Sequence, residues 1–388
     1  MVIGAAILDV LARPVSMQVF EKGSHPVEEL RLEVGGDAAN EALVLAGLGK
    51  NVWLQTVLGN DMAGRMILES LRESGIKISD NCMREDIRTG INTVLVQEGG
   101  ERSFLTDPGG SLRKLGPEHL TFPFEKAIDI LSFASIFVSP GFGAAEMEKL
   151  FCRAKEQGIL VCADMTKPKN GEQEKDIEGA LRWVDYFFPN REEACMLTRE
   201  TDEEKAAARL LNAGVKHVVI KCGGDGCLVA SGEDAAHREL FRVPAVPGVR
   251  CVDTTGAGDS FTAGFLAALS EGKNLRQCSE FACVCGAKAV ECAGAARWVK
   301  MCRKCARGRT PLQKVYVPVR TSVTFLTTAS AALLPRNLLK HRHSALHREH
   351  SPSWHSRIRR TAASLYRYTG HQKQYILPGG CQDGRPAV

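Results

Sequence analysis

Short apolar runs alternate with stretches of helical period over most of the chain. Residues 2–8, 52–57, 128–138, 159–163, 186–188, 217–221 and 227–230 are apolar-rich runs of strand length. Between them, residues 38–48, 61–74, 144–157, 191–198 and 202–213 space their apolar positions as helices with one buried face do. Asp202 stands as the N-cap of the last of these and Gly214 as its stop. Apolar strands alternating with helices predict a mainly parallel sheet covered on both faces. A second pattern interrupts the first. Residues 93–97 and 101–105 flank Gly99-Gly100, a pair free to take the positive φ angles of a tight hairpin, and residues 18–34 alternate along one strand-like stretch. The expected fold is therefore a three-layer α/β/α sandwich with a mainly parallel central sheet and a small β-sheet lid, the lid drawn from residues 13–34 and 88–107. Such a sheet serves as a lid or as a partner surface, here for a homodimer.

Both patterns stop near Gly294, and the charge changes with them. Residues 296–388 hold 18 of the 50 Lys and Arg and 2 of the 45 Asp and Glu, a net +16 against −11 for residues 1–295. The overall +5 therefore hides an acidic body and a basic tail. Six of the ten histidines also lie in the tail, which shows neither helical nor strand period. The expected organisation is one domain over 1–295, followed by a foreign, disordered tail over 296–388, as an alternative exon or a shifted reading frame would leave.

Composition narrows the class. A chain of 388 residues, 44% apolar and 24% charged, can bury a sizeable core, and 37 glycines with 6% aromatics fit neither a fibre nor a disordered chain. The most apolar stretch, residues 127–145, is broken by Asp129, three serines and Pro140, which argues against a membrane span. The first ten residues carry no basic lead and reach Asp9 early, so they suit a first strand better than a signal peptide. Fourteen cysteines scattered singly then read as free thiols, and the expected location is cytoplasmic.

The chemistry concentrates in residues 253–265, DTTGAGDSFTAGF, an extended stretch running into a helical pattern. Gly256, Ala257 and Gly258 leave room for an anion to approach backbone N–H groups, and a helix start supplies unpaired donors and partial positive charge. Asp259 follows at once. The same dipoles are expected to keep it ionised, so that it can take a proton from a hydroxyl aimed at phosphorus. One loop thus offers a base and an anion hole. No P-loop of the GxxxxGK[ST] type and no internal repeat occurs.

This segment resembles the C-terminal signature of the ribokinase-like, PfkB-type carbohydrate kinases. Residues 35–49, GGDAANEALVLAGLG, resemble the N-terminal signature; residues 190–193 fit the N-x-x-E motif; and residues 221–226, KCGGDG, match the glycine turn beside the nucleotide. The resemblance implies ATP-dependent transfer of a γ-phosphoryl group to a sugar hydroxyl, with a nucleoside as the alternative acceptor. It places Asp9, Gly35, Gly36 and Asn40 with Asp259 around the sugar. Asn190, Lys221, Gly223, Gly226, Thr254, Gly256 and Gly258 fall on the nucleotide side. Glu193 is implied near Mg²⁺ through water, and Asp253 beside a monovalent cation, K⁺. Family members continue past this point with a proline-containing segment and a closing helix near the adenine, where this chain turns basic, which sets the activity of this variant against that of an intact relative.

Each match also has a plainer reading. Gly35-Gly36 can be an ordinary turn before a helix, Asn190 a helix cap, and Gly223 with Gly226 a strand-to-strand turn. In the tail, Cys302 and Cys305 have metal-ligand spacing that His341 and His343 could complete, although the gap between the pairs is unlike that of a regular finger. The tail's charge could also attract nucleic acid, though without a recognisable fold it reads first as a solvated segment.

Overall fold

The computed structural model describes residues 1–299, except residues 100, 123, 125, 126 and 233–237 and the side chain of residue 80. The tail readings at Cys302, Cys305, His341 and His343, and the expected disorder of the tail, lie outside the described residues. The first half runs β1 (Val2–Ile3), β2 (Ile7–Arg13), β3 (Glu29–Gly35), α1 (Asp37–Gly47), β4 (Trp53–Gln55), β5 (Leu58–Gly59), α2 (Met62–Glu73), β6 (Lys77–Ile78), β7 (Met83–Arg84), β8 (Ile91–Val96) and β9 (Arg102–Thr106). The second runs β10 (Ile130–Ile136), α3 (Ala144–Glu156), β11 (Leu160–Met165), α4 (Glu178–Leu181), β12 (Tyr186–Phe187), α5 (Arg191–Thr198), α6 (Glu203–Asn212), β13 (His217–Lys221), β14 (Cys227–Ser231), β15 (Glu239–Val243), α7 (Ala257–Leu269) and α8 (Leu275–Val290).

Nine strands form the main sheet in the order β15-β14-β13-β12-β11-β10-β1-β4-β6. From β6 to β13 every pairing is parallel, and only β14 and β15 add antiparallel. The pleat sends alternate residues to opposite faces. Val219 and Val229 pack with α1, α7 and α8, while their neighbours Val218, Ile220, Leu228 and Ala230 pack with α3, α5 and α6. Two apolar layers flank one sheet, as the hydrophobic pattern predicts. No described helix is long and apolar enough to cross a membrane.

The lid is a separate sheet in the order β3-β2-β8-β9. Here the sequence expectation needs correcting. Residues 2–8 are not one strand: β1 joins the main sheet, whereas β2 pairs with β3 and β8 in the lid. The break comes at Gly4, whose φ of +155° and close fit against Ala38 suit only glycine. Asp9 thus rises from the lid. Residues 18–34 also form only β3; Met17–Phe20 is a short 3₁₀ turn with Met17 and Phe20 exposed. The hairpin of β8 and β9 stands where predicted.

A second correction concerns the junction. Ala296, Trp298 and Val299 are buried in the layer shared by α1, α7 and α8. The indole N–H of Trp298 donates to Ser260 Oγ at 3.1 Å, and Val299 presses so closely on Gly47 that a Cβ there would overlap it. The packed body therefore continues past residue 295, to the end of the described chain.

The same layer buries Glu41 of α1, whose Oε1 has no hydrogen-bond partner among the described residues. Burial pushes its carboxyl up to about 8, with Asp164 adding to the shift and Lys221 opposing it. The neutral form is the one the fold favours, so the stability Glu41 contributes is full below its ordinary value of 4.5 and is lost as pH rises to about 8. One proton carries about 1.4 kcal/mol per pH unit. Glu41→Gln should therefore be more stable than the wild type at pH 8, with a difference about 2 kcal/mol larger than at pH 6 in urea titrations.

Candidate active site

Helix α7 begins where the sequence places its phosphate-binding loop. Gly256 caps it with φ +69°, and a side chain there would collide with Ala295. The backbone is thus held in a conformation glycine alone takes easily, at the mouth of a helix whose first N–H groups lack intrahelical partners. Ala257 N–H donates to the carbonyl of Thr254 at 3.3 Å, and the Thr254 residue is itself exposed. Asp259 is the third residue of the helix. Its Oδ2 accepts from Asn40 Nδ2 at 2.8 Å, which ties α7 to α1. The expectation that helix dipoles keep this carboxyl ionised does not hold. Burial, and then the charge of Asp37, push it well above the usual carboxylate range, against Asn40 and Lys221. Once ionised, it is correspondingly a stronger proton acceptor.

Gly35 and Gly36 carry the chain from lid strand β3 into α1. A Cβ at Gly35 would overlap the Asp9 carboxyl, and one at Gly36, where φ is +92°, would strike the carbonyl of Ala5. The two glycines therefore let Asp9 stand at the start of the helix that carries Asn40. Asp9 Oδ1 and Asn40 Oδ1 are both buried without a hydrogen-bond partner among the described residues. Burial raises the Asp9 carboxyl to about 6; a hydrogen bond from Asn92 opposes this, and Glu33 and Asp37 reinforce it.

On the other side of α7, Lys221 ends β13 with its Nζ 2.5 Å from Asp164 Oδ2. Thr262 of α7 donates to the same oxygen at 3.0 Å. A Cβ at Gly258 would lie 3.5 Å from that Nζ, so the ammonium sits beneath the helix start. Burial would lower the Lys221 pKa, but Asp164 and Glu193 outweigh it and hold it above its ordinary value. Asn190 and Glu193 follow their plainer reading: they form a reciprocal cap on α5, Glu193 N–H to Asn190 Oδ1 at 2.9 Å and Asn190 N–H to Glu193 Oε2 at 2.8 Å. Asn190 is nevertheless bridged to Lys221 across the sheet. Burial lifts Glu193 to about 7, against Lys221. Gly223 (φ +58°) faces open space, whereas Gly226 (φ +89°) is needed for the chain to pass Val243.

Asp253 is buried and organises the loop before α7. Its Oδ1 accepts from Thr255 N–H at 2.7 Å and its Oδ2 from Gly294 N–H at 2.8 Å. Arg102 of lid strand β9 completes an ion pair with it. Four charged residues of the site escaped the sequence reading: Asp37, Asp164, Arg102 and Glu33. Asp37 was visible within GGDAAN, and Asp164 is a carboxylate at the carboxyl end of an apolar strand, where open α/β sheets place ligand sites. Nothing local marks Arg102.

A lidded α/β/α sandwich with a glycine-opened helix start beside an acid, a lysine and unpartnered acceptors is the architecture of ribokinase-like phosphotransferases. The chain belongs to the pfkB family of carbohydrate kinases, whose family model matches residues 1–300. It is 31% identical over 238 residues to an uncharacterised sugar kinase of Archaeoglobus fulgidus, covering 61% of this chain and 90% of that one. It is 30% identical over 273 residues to a ribokinase of Arabidopsis thaliana, covering 67% and 68%. A ribokinase structure from Thermotoga maritima superposes with a TM-score of 0.64 at 27% identity, over 78% of this chain and 98% of that one. The protein is a kinase.

Proposed function

We propose that the protein transfers the γ-phosphoryl group of ATP to a hydroxyl of a neutral sugar. The carrying observation is the pair of buried, unpartnered acceptors, Asp9 Oδ1 and Asn40 Oδ1, the second on the residue whose amide donates to Asp259. Buried polar atoms are nearly always paired, and vicinal hydroxyls are the donors these two lack. The carboxyls of Asp9, Asp37 and Asp259 crowd the site, and because burial and then Asp37 oppose the ionisation of Asp259, a further negative charge is disfavoured there. This favours an uncharged acceptor over a phosphorylated or acidic one. Asp259 takes the hydroxyl proton, while the N–H groups of Gly256 and Gly258 and the Lys221 ammonium stabilise the charge on the transferred group. Among the described residues no three acidic, His or Cys side chains gather as a metal site. Glu193 would hold Mg²⁺ through water beside the nucleotide, where the ion would screen the phosphates. One face of the lid leaves Leu30, Leu32 and Leu105 exposed, an apolar surface suited to a second copy of the chain.

A panel of neutral sugars, sugar phosphates and nucleosides, assayed for ATP-dependent ADP release, tests the reading. A neutral sugar should be the best acceptor. Asp9→Ala and Asn40→Ala should each weaken sugar binding about tenfold, the scale of one or two lost hydrogen bonds, and leave nucleotide binding nearly unchanged in calorimetry. Equal loss of both ligands, or preference for a phosphorylated acceptor, would contradict it.

A further inference from the structure

The family resemblance assigns Asp253 to a monovalent-cation site, and the donor set in this structure does not fit that assignment. A cation needs lone pairs of the carboxylate, and three of the four are already taken, two on Oδ1 by Thr255 N–H and Arg102 and one on Oδ2 by Gly294 N–H. The Arg102 side chain is 12% exposed and that of Asp253 1%, so the guanidinium is a fixed positive charge held in place inside the protein. A second cation at the same carboxylate would meet it with little solvent to screen the repulsion. The remaining carboxylates nearby do not make up the difference. Glu33 lies against Gly294 and is paired with Arg31, and the Asp9 carboxyl already feels the Arg102 charge.

Asp253 orders the loop because it fixes the amide of Thr255, one residue before Gly256. Arg102 belongs to β9, the edge strand of the lid, and is distant in sequence from that loop. One ion pair therefore joins the lid to the backbone that receives the phosphate.

We propose that Arg102 is a built-in cation for the phosphate-binding loop: it pairs with Asp253 where a monovalent ion would otherwise sit, positions the loop through that carboxylate, and makes loop order independent of K⁺. Arg102 acts as a positioning residue through Asp253. A planar, permanently charged guanidinium suits this task, since it cannot lose its proton or exchange with solvent ions. The inference extends the nucleotide-binding half of the proposed function but not the identity of the sugar.

The test compares the full-length wild type and Arg102→Met in KCl, NaCl and N-methylglucamine chloride at equal ionic strength. Two readouts are taken, the melting temperature and calorimetric affinity for Mg²⁺ with a non-hydrolysable ATP analogue. The wild type should give the same values in all three salts. Arg102→Met should bind the analogue about tenfold more weakly in N-methylglucamine chloride and acquire a K⁺-specific gain in both readouts, because the vacated carboxylate can then take an ion. A K⁺-specific gain in the wild type would overturn the proposal, and that measurement stands even if the variant does not fold. A folded Arg102→Met as indifferent to K⁺ as the wild type would overturn it equally. Failure of the analogue to bind the wild type in any salt would count against the nucleotide reading instead, while the melting temperatures would still decide the role of Arg102.

Discussion

Asp259→Asn should leave a folded protein whose kcat is lower by at least about a hundredfold, close to 3 kcal/mol of lost transition-state stabilisation. The substitution preserves size and an oxygen able to accept from Asn40 Nδ2, so the link between α1 and α7 survives. It also removes an acid whose ionisation burial and Asp37 already oppose, so stability should not suffer. What it removes is the basic lone pair. An amide cannot take the hydroxyl proton, and the rate should fall with little change in either KM, as expected for an interaction made only in the transition state. Steady-state kinetics on a variant with unchanged melting behaviour check this. Near-normal turnover would show that Asp259 is the plain helix-start residue that a bare GAGD also permits.

The proposed base and its loop are legible in the sequence because their chemistry is local. Gly256 caps a helix that the apolar spacing of Phe261, Phe265 and Leu266 announces, and thirteen consecutive residues carry both proposed roles. Asp9 and Asn40 were legible for the same reason, each lying in or beside a recognisable run. The electrostatics of Asp259 were not. A helix start lowers a carboxylate pKa, but the outcome here is set by burial and by Asp37 and Asp164, on other elements. Arg102 was illegible outright, since its partner Asp253 meets it only after the lid folds over the loop.

The fold shows the same division. The parallel strands stand near their expected positions because long apolar runs overdetermine them, and Asp202 caps α6 as read, accepting from Glu204 and Lys205 N–H. Strand β2 leaves the main sheet for the lid because a single residue, Gly4, redirects the chain, and no hydrophobic period records such a turn. Helix α8 was missed because cysteines and Gly286 dilute its apolar stripe, although Asn274 and Gln277 form the reciprocal cap that marks its start. At the junction, the excess of Lys and Arg after residue 295 obscured a short apolar group, Ala296, Trp298 and Val299, whose burial is a matter of space left between α1 and α7.

That space sets the last expectation. Trp298 is 4% exposed, fills the layer between the sheet and its helices, and donates its indole N–H to Ser260, the residue after the catalytic candidate. Truncating it to Ala in the full-length chain removes a large apolar surface and leaves a cavity that the neighbouring helices close only in part, a change that costs about 3–5 kcal/mol in cores of this kind. Against a total stability of about 5–15 kcal/mol, Trp298→Ala should lower the midpoint of urea unfolding by about a fifth or more. Trp298→Phe should recover most of the packing and lose the hydrogen bond, leaving a deficit of about 1 kcal/mol. If residues beyond 295 were foreign to the domain, both variants would unfold with the wild type. A large loss for Ala and a small one for Phe would instead show that the domain uses the first residues beyond its charge boundary to close its own core, directly behind the start of α7.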